Sequence, residues 1–166
     1  MKSIITTVAF LICIINCTSA QKIVPADLKI IEGNWVGSLT YLDYTTNKPF
    51  TMPSNTTYEQ SKSNANLYFR SIGYSTEPHA NQKDTMVISA DGKMLDDYSI
   101  VSVKKITNNG MEIIVQKKGL DGNDNQPALI KKTITITKTN LTISKEVLFD
   151  NTKKWTVRHT YSFTKK

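Results

Sequence analysis

Leu141-Thr142-Ile143-Ser144-Lys145-Glu146-Val147-Leu148-Phe149 and Trp155-Thr156-Val157-Arg158-His159-Thr160-Tyr161-Ser162-Phe163-Thr164 repeat with a period of two. In the first, Leu141, Ile143, Lys145, Val147 and Phe149 share a face against Thr142, Ser144 and Glu146. In the second, Trp155, Val157, His159, Tyr161 and Phe163 oppose Thr156, Arg158, Thr160, Ser162 and Thr164. One face is dry and the other wet, as in antiparallel strands joined by hairpins.

Working outward, the same pattern recurs. Met111, Ile113 and Val115 oppose Glu112 and Gln116, and Ile130, Ile134 and Ile136, with Lys132 among them, oppose Thr133, Thr135 and Thr137. Strand-like runs fall near 35–44, 55–61, 66–74, 84–90, 94–106 (broken near Asp96-Asp97), 111–118, 128–137, 140–149 and 155–164. Asn47-Lys48-Pro49, Asp91-Gly92, Asn108-Asn109-Gly110 and Asp121-Gly122-Asn123-Asp124-Asn125 supply turns between them. Pro25 to Ile31 suits one short helical turn. Eight to ten consecutive short strands around one core close most economically into an all-β, antiparallel up-and-down barrel, because closure removes exposed edges.

The chain before the barrel reads as an export leader. Lys2 is followed by an almost wholly apolar stretch from Ile4 to Ile15 and by the small residues Thr18-Ser19-Ala20. Residues 1–20 are therefore expected to be a signal peptide and 21–166 the barrel domain, placing the protein outside the cytoplasm, secreted or periplasmic. Two alternatives are an uncleaved anchor, for which the apolar core is short, and lipid attachment at Cys17, since Ile14-Ile15-Asn16-Cys17 resembles a lipobox. Both cysteines, Cys13 and Cys17, lie in this leader, so no disulfide is expected in the barrel.

The full chain carries a net charge of +7, and losing the leader removes Lys2 to leave +6. Lysine pairs such as Lys104-Lys105, Lys117-Lys118 and Lys153-Lys154 fall at strand ends and turns, where lysine guards against edge pairing. No aromatic–basic nucleic-acid motif accompanies them, so no nucleic-acid partner is expected. Attraction to an anionic membrane or envelope surface is compatible with this charge.

Gly33-Asn34-Trp35, following the short helical turn and opening the first strand, resembles the Gly-x-Trp element of lipocalins and the wider calycin superfamily. The resemblance implies a barrel that holds small apolar or amphipathic molecules, with Gly33 and Trp35 closing one end. It also implies a cation from the last strand packed over that tryptophan. If the first strand pairs with the last, Trp35 lies near Phe163 or Thr164, Arg158 lies several residues up the barrel, and Lys165 or Lys166 sits closer. The cation stays open between them.

Candidate ligand-binding residues are the polar and aromatic groups on dry faces: Tyr41, Phe69, Lys132, Lys145, His159 and Tyr161. A lysine facing a barrel interior is costly unless hydrated or paired, so Lys132 and Lys145 point to a wet cavity or an anionic head group. Fatty-acid-binding barrels are similar in holding a carboxylate with interior basic and tyrosine side chains. A register slip or bulge would instead turn either lysine to solvent.

Sharper chemistries fail on spacing. Asp121, Asn123 and Asn125 alternate like a calcium loop, but Gln126 and Lys132 stand where that loop needs Gly and Glu. His79 and His159 are too few for a histidine zinc centre, and haem on His159 alone is an alternative without a further motif. Asp96 and Asp97 are adjacent and cannot share a substrate from one strand face. No catalytic set, metal or cofactor is expected. The expected function is non-covalent binding of a small amphipathic ligand inside the barrel. The competing reading is a packed barrel that binds a protein or glycan through its 75–84 stretch or its 119–127 loop.

Overall fold

The computed structural model describes residues 21–43, 46, 48–107 and 109–166; the leader and its Cys17 lie outside them. A short helix α1 (Pro25–Leu28) runs into a 3-10 turn (Lys29–Ile31), and ten strands follow. These are β1 (Gly33–Asp43), β2 (Lys48–Gln60), β3 (Leu67–Tyr74), β4 (Gln82–Val87), β5 (Met94–Leu95), β6 (Tyr98–Ile106), β7 (Gly110–Asp121), β8 (Gln126–Ile136), β9 (Asn140–Phe149) and β10 (Thr156–Lys165). All pair antiparallel in one sheet of order β4-β3-β2-β1-β10-β9-β8-β7-β6-β5. The all-β meander barrel read from the sequence is the fold observed.

Closure has two different joints. Between β1 and β10 the register runs continuously from Trp35↔Lys165 to Tyr41↔His159. Gly37 allows the close approach, since a Cβ there would fall 1.9 Å from Ser162 O. The other joint, between β4 and β5, is a seam: a single bridge pairs Ile88 with Leu95. Beside it Asp96, at φ 55°, donates its N–H to Val87 O (2.7 Å) and accepts the Val87 N–H on Oδ1 (2.8 Å). The barrel is thus nearly, not fully, closed.

One end is plugged. Trp35 is fully buried among Ile31, Ile136, Leu141 and Phe163, and its Nε1–H donates to Ile31 O at 2.7 Å. Lys165 is the cation over it, with Nζ 4.9 Å from the ring and 3.1 Å from Ile30 O. A buried indole roofed by an ammonium gains from the ring's negative face while the lysine head stays hydrated. The α1 segment is held down by the Tyr68 hydroxyl, which donates to Pro25 O at 2.9 Å.

Three local expectations need correction. Strand β2 begins at Lys48 despite Pro49 and Pro53. Its pairing with β3 begins only at Ser54, so both prolines lie where one margin is free and a missing N–H costs nothing. The polar loop expected over 119–127 is mostly strand, because β7 runs to Asp121 and β8 resumes at Gln126. Finally, β10 carries a bulge between Val157 and His159. The extra residue reverses the alternation before it: Val157 is 53% exposed and Trp155 lies under Lys131 Nζ (4.4 Å) on the outer wall, not inside.

Candidate functional site

One row of paired residues crosses five strands and carries most of the candidate site. Val115 on β7 pairs with Lys132 on β8, Lys132 with Lys145 on β9, Lys145 with His159 on β10, and His159 with Tyr41 on β1. Directly paired residues project from the same face. Two lysines opposite one another repel, and each finds a separate partner. Lys145 Nζ forms an ion pair with Asp121. Lys132 Nζ lies 4.1 Å from the centroid of the Tyr98 ring and makes no ion pair with any described carboxylate.

Asp121 is buried at the end of β7 and serves a second cation: Arg158 Nε lies 2.9 Å from its Oδ1. Arg158 is the bulge residue, so the irregularity of β10 turns inward a side chain that strict alternation would place outside. On the opposite wall Arg70 of β3 grips Asp84 of β4 with two bonds, Nε to Oδ1 at 2.7 Å and Nη2 to Oδ2 at 2.5 Å. Burial opposes the Arg70 charge, but Asp84 and the nearby Tyr58 hydroxyl more than restore it. Lys117 and Asp97 form a third pair at 2.6 Å.

Arg70, Lys132, Lys145 and His159 from this network face a cavity of about 230 Å³. Ile31, Ile72, Met86, Leu95, Val115, Ile134 and Ile143 supply its apolar wall. Tyr58, Arg70, Gln82, Asp96, Tyr98, Lys132, Lys145, His159 and Tyr161 supply its polar wall. Tyr161 lies edge-on to His159 with ring centroids 5.5 Å apart, and its hydroxyl meets that of Tyr74 at 2.6 Å.

The electrostatics of this wall follow from burial and like charge. Burial first, and then Lys145 and Lys132, push His159 down to about 4, so its imidazole is neutral at pH 7. Burial and the neighbouring Arg70 lower Lys132 as well. Burial and the bond to Tyr74 raise Tyr161, so its hydroxyl keeps its proton. A neutral imidazole, a phenol and the cations Arg70, Lys132 and Lys145 outweigh Asp96, the one carboxylate in this lining, so the wall is rich in hydrogen-bond donors and carries a positive surplus.

Of the sequence candidates, Lys132, Lys145, His159 and Tyr161 line this one cavity. Tyr41 shares their row but sits nearer the open mouth, packed on Phe50 at 5.6 Å. Phe69 is a correction: it is 51% exposed on the outer wall, while its neighbour Tyr68 is fully buried. On β3 the inward set is Tyr68, Arg70, Ile72 and Tyr74, a heavier apolar face than Leu67, Phe69, Ser71 and Gly73. That contrast in bulk was the available signal for Arg70. Asp121 follows the inward alternation of Met111, Ile113 and Val115 to the end of β7, whereas Arg158 had no such signal, because a bulge leaves no mark in the alternation.

No family model matches the chain, and no curated protein matches it in sequence. Among solved structures, it is similar to the crystal structure of Rv2717c from M. tuberculosis, with a TM-score of 0.56 at 9% identity. The superposition covers 85% of this chain and 96% of that one. The likeness is one of barrel fold.

Proposed function

We propose that this protein is a lipocalin-like carrier, secreted or periplasmic, that binds a small amphipathic molecule non-covalently inside its barrel. The observation that carries the reading is Lys132, a lysine in the cavity wall that Asp96 influences only at a distance and that makes no ion pair with a described carboxylate, beside Lys145 and His159. An apolar wall on one side and a donor-rich, cationic wall on the other suit a short hydrocarbon body ending in a negative head. The cavity lies just below the roughly 300–1,000 Å³ common for drug-sized ligands, so the occupant is small. An unfilled interior also favours a container over a packed interaction module.

Native mass spectrometry of the purified protein tests this directly, since a retained ligand adds its mass to the chain. Titration with octanoate gives the second arm. Saturable binding that weakens in Lys132→Met, and that methyl octanoate does not reproduce, is the expected result. Equal binding of acid and ester would remove the anionic head from the proposal, and no binding of either would favour the packed module.

A further inference from the structure

The antiparallel meander sorts its connections by end, and it sorts charge with them. Six segments meet at the plugged end: the α1 region, the turns after β2, β4, β6 and β8, and the C-terminus. Each carries an exposed lysine, represented by Lys29, Lys62, Lys93, Lys105, Lys138 and Lys166. Five connections form the mouth, and each includes or adjoins a carboxylate: Asp43, Glu77, Asp97, Asp124 and Asp150. Counted by halves of the barrel's outer surface, the plugged end has nine lysines against five carboxylates, and the mouth half seven against seven. Edge protection explains lysines on strands, but it gives no reason for the surplus to gather at one end.

The five carboxylates at the plugged end offset only part of this and leave four positive charges in surplus. Asp27 accepts the Val24 N–H at 2.9 Å, and Asp91 accepts the Lys93 N–H at 3.0 Å and the Ser89 hydroxyl at 2.7 Å. Glu112 lies opposite Lys104 in the β6–β7 register. Exposed lysines stand on all six segments of this end.

The chain enters the barrel at this same end. Ile23 N–H donates to Gly92 O at 2.9 Å and the Gln21 side chain accepts the Val103 N–H, which fixes the first described residues among the lysine-bearing turns. The apolar stretch Ile4–Ile15 and Cys17 lie immediately upstream in sequence. A bilayer that receives that stretch, or a lipid on Cys17, meets the plugged end first.

We propose that the plugged end of the barrel docks on an anionic phospholipid surface, holding the mouth and its cavity toward the aqueous side. Several lysines brought together within a Debye length of such a surface act jointly, each worth about fivefold in affinity. Only scattered apolar side chains such as Val24 and Val36 are exposed beside them, so binding is mainly electrostatic and reversible by salt.

Vesicle co-sedimentation of the purified protein with phosphatidylglycerol–phosphatidylcholine mixtures provides the test, using two charge-matched triple variants. Lys62→Glu/Lys93→Glu/Lys138→Glu reverses the plugged end, and Lys48→Glu/Lys118→Glu/Lys153→Glu reverses the mouth by the same amount. Thermal melting of both triples confirms that each retains the barrel. The first is expected to lose more than about a hundredfold in vesicle affinity and the second less than about fivefold, with wild-type binding abolished by 0.5 M salt. Equal losses would reduce the effect to bulk charge and overturn the assignment. Equal binding to pure phosphatidylcholine, or salt-resistant binding, would overturn it by making apolar contact rather than the lysines responsible. Should one triple fail to fold, the paired substitutions Lys62→Gln/Lys138→Gln and Lys118→Gln/Lys153→Gln give the same comparison with smaller losses.

Discussion

Arg158 and Asp121 meet at 2.9 Å inside the barrel because the chain between Val157 and His159 holds one residue more than the strand beside it. The bulge delivers a guanidinium to a carboxylate that Lys145 also needs. Asp121 therefore balances two cations in a site where its own side chain is only 6% exposed.

Asp121→Asn removes the charge and keeps the shape. Lys145 and Arg158 are left without their counter-ion, and breaking a buried pair from one side costs about 3–5 kcal/mol. Urea unfolding should show the loss as a lower midpoint with an unchanged slope. A midpoint equal to that of the parent would mean that the cluster contributes nothing to stability.

Gly37→Ala tests the β1–β10 joint. The added methyl would lie 1.9 Å from Ser162 O and 2.8 Å from Phe163 Cα, both backbone atoms that no rotamer change can move. The strands must part or shift register at the point where the first and last strands meet. A loss of about 3 kcal/mol is expected by chemical denaturation. Gly119→Ala is the control, since its nearest obstacle is the flexible tip of Ile130 at 3.3 Å.

His159 links stability to pH with a definite sign. Its native value of about 4 lies below the 6.5 of a free imidazole, so between these values the unfolded chain binds a proton that the folded chain does not. Its contribution is complete above pH 6.5 and is lost as pH falls toward 4, by on the order of 3 kcal/mol in all. His159→Gln should flatten the stability profile in that window. Parallel profiles for the two proteins would place the imidazole in contact with water.

Tyr161→Phe combined with His159→Ala removes two donors from the cavity while leaving Lys132 and Lys145 in place. Octanoate affinity is expected to fall about tenfold or more, since each lost hydrogen bond to a charged group is worth about 1.5–3 kcal/mol. Isothermal titration would show it. Unchanged affinity would take both residues out of the site.

How much of this could be read from the chain depends on whether a residue's place is set by alternation or by an exception to it. Lys132, Lys145 and His159 were assigned inward because they sit among isoleucine, leucine and aromatic neighbours at a spacing of two, and the pairing row brings them together. Trp35 followed from its place after the helical turn. Val157 and Trp155 were misplaced because a bulge shifts phase without changing composition. Phe69 was misplaced because an aromatic ring outweighed the rest of its face, although Tyr68 and Ile72 marked the inner one. The Arg70–Asp84 and Arg158–Asp121 pairs join residues on different strands, and no local pattern ties a cation to a carboxylate so far along the chain.

The barrel's two joints differ in how easily they give way. Prising β1 from β10 breaks a continuous run of seven paired positions, whereas the β4–β5 side is held by the Ile88–Leu95 bridge and the double grip of Asp96 on Val87. Breathing therefore begins at β4, and deuterium should invade its amides well before those of β8 and β9, which have a neighbour on both sides. Met86, Leu95 and Tyr98 stand on the two banks of that fissure and also face the hollow within, so the weakest margin of the molecule doubles as a side door to its interior.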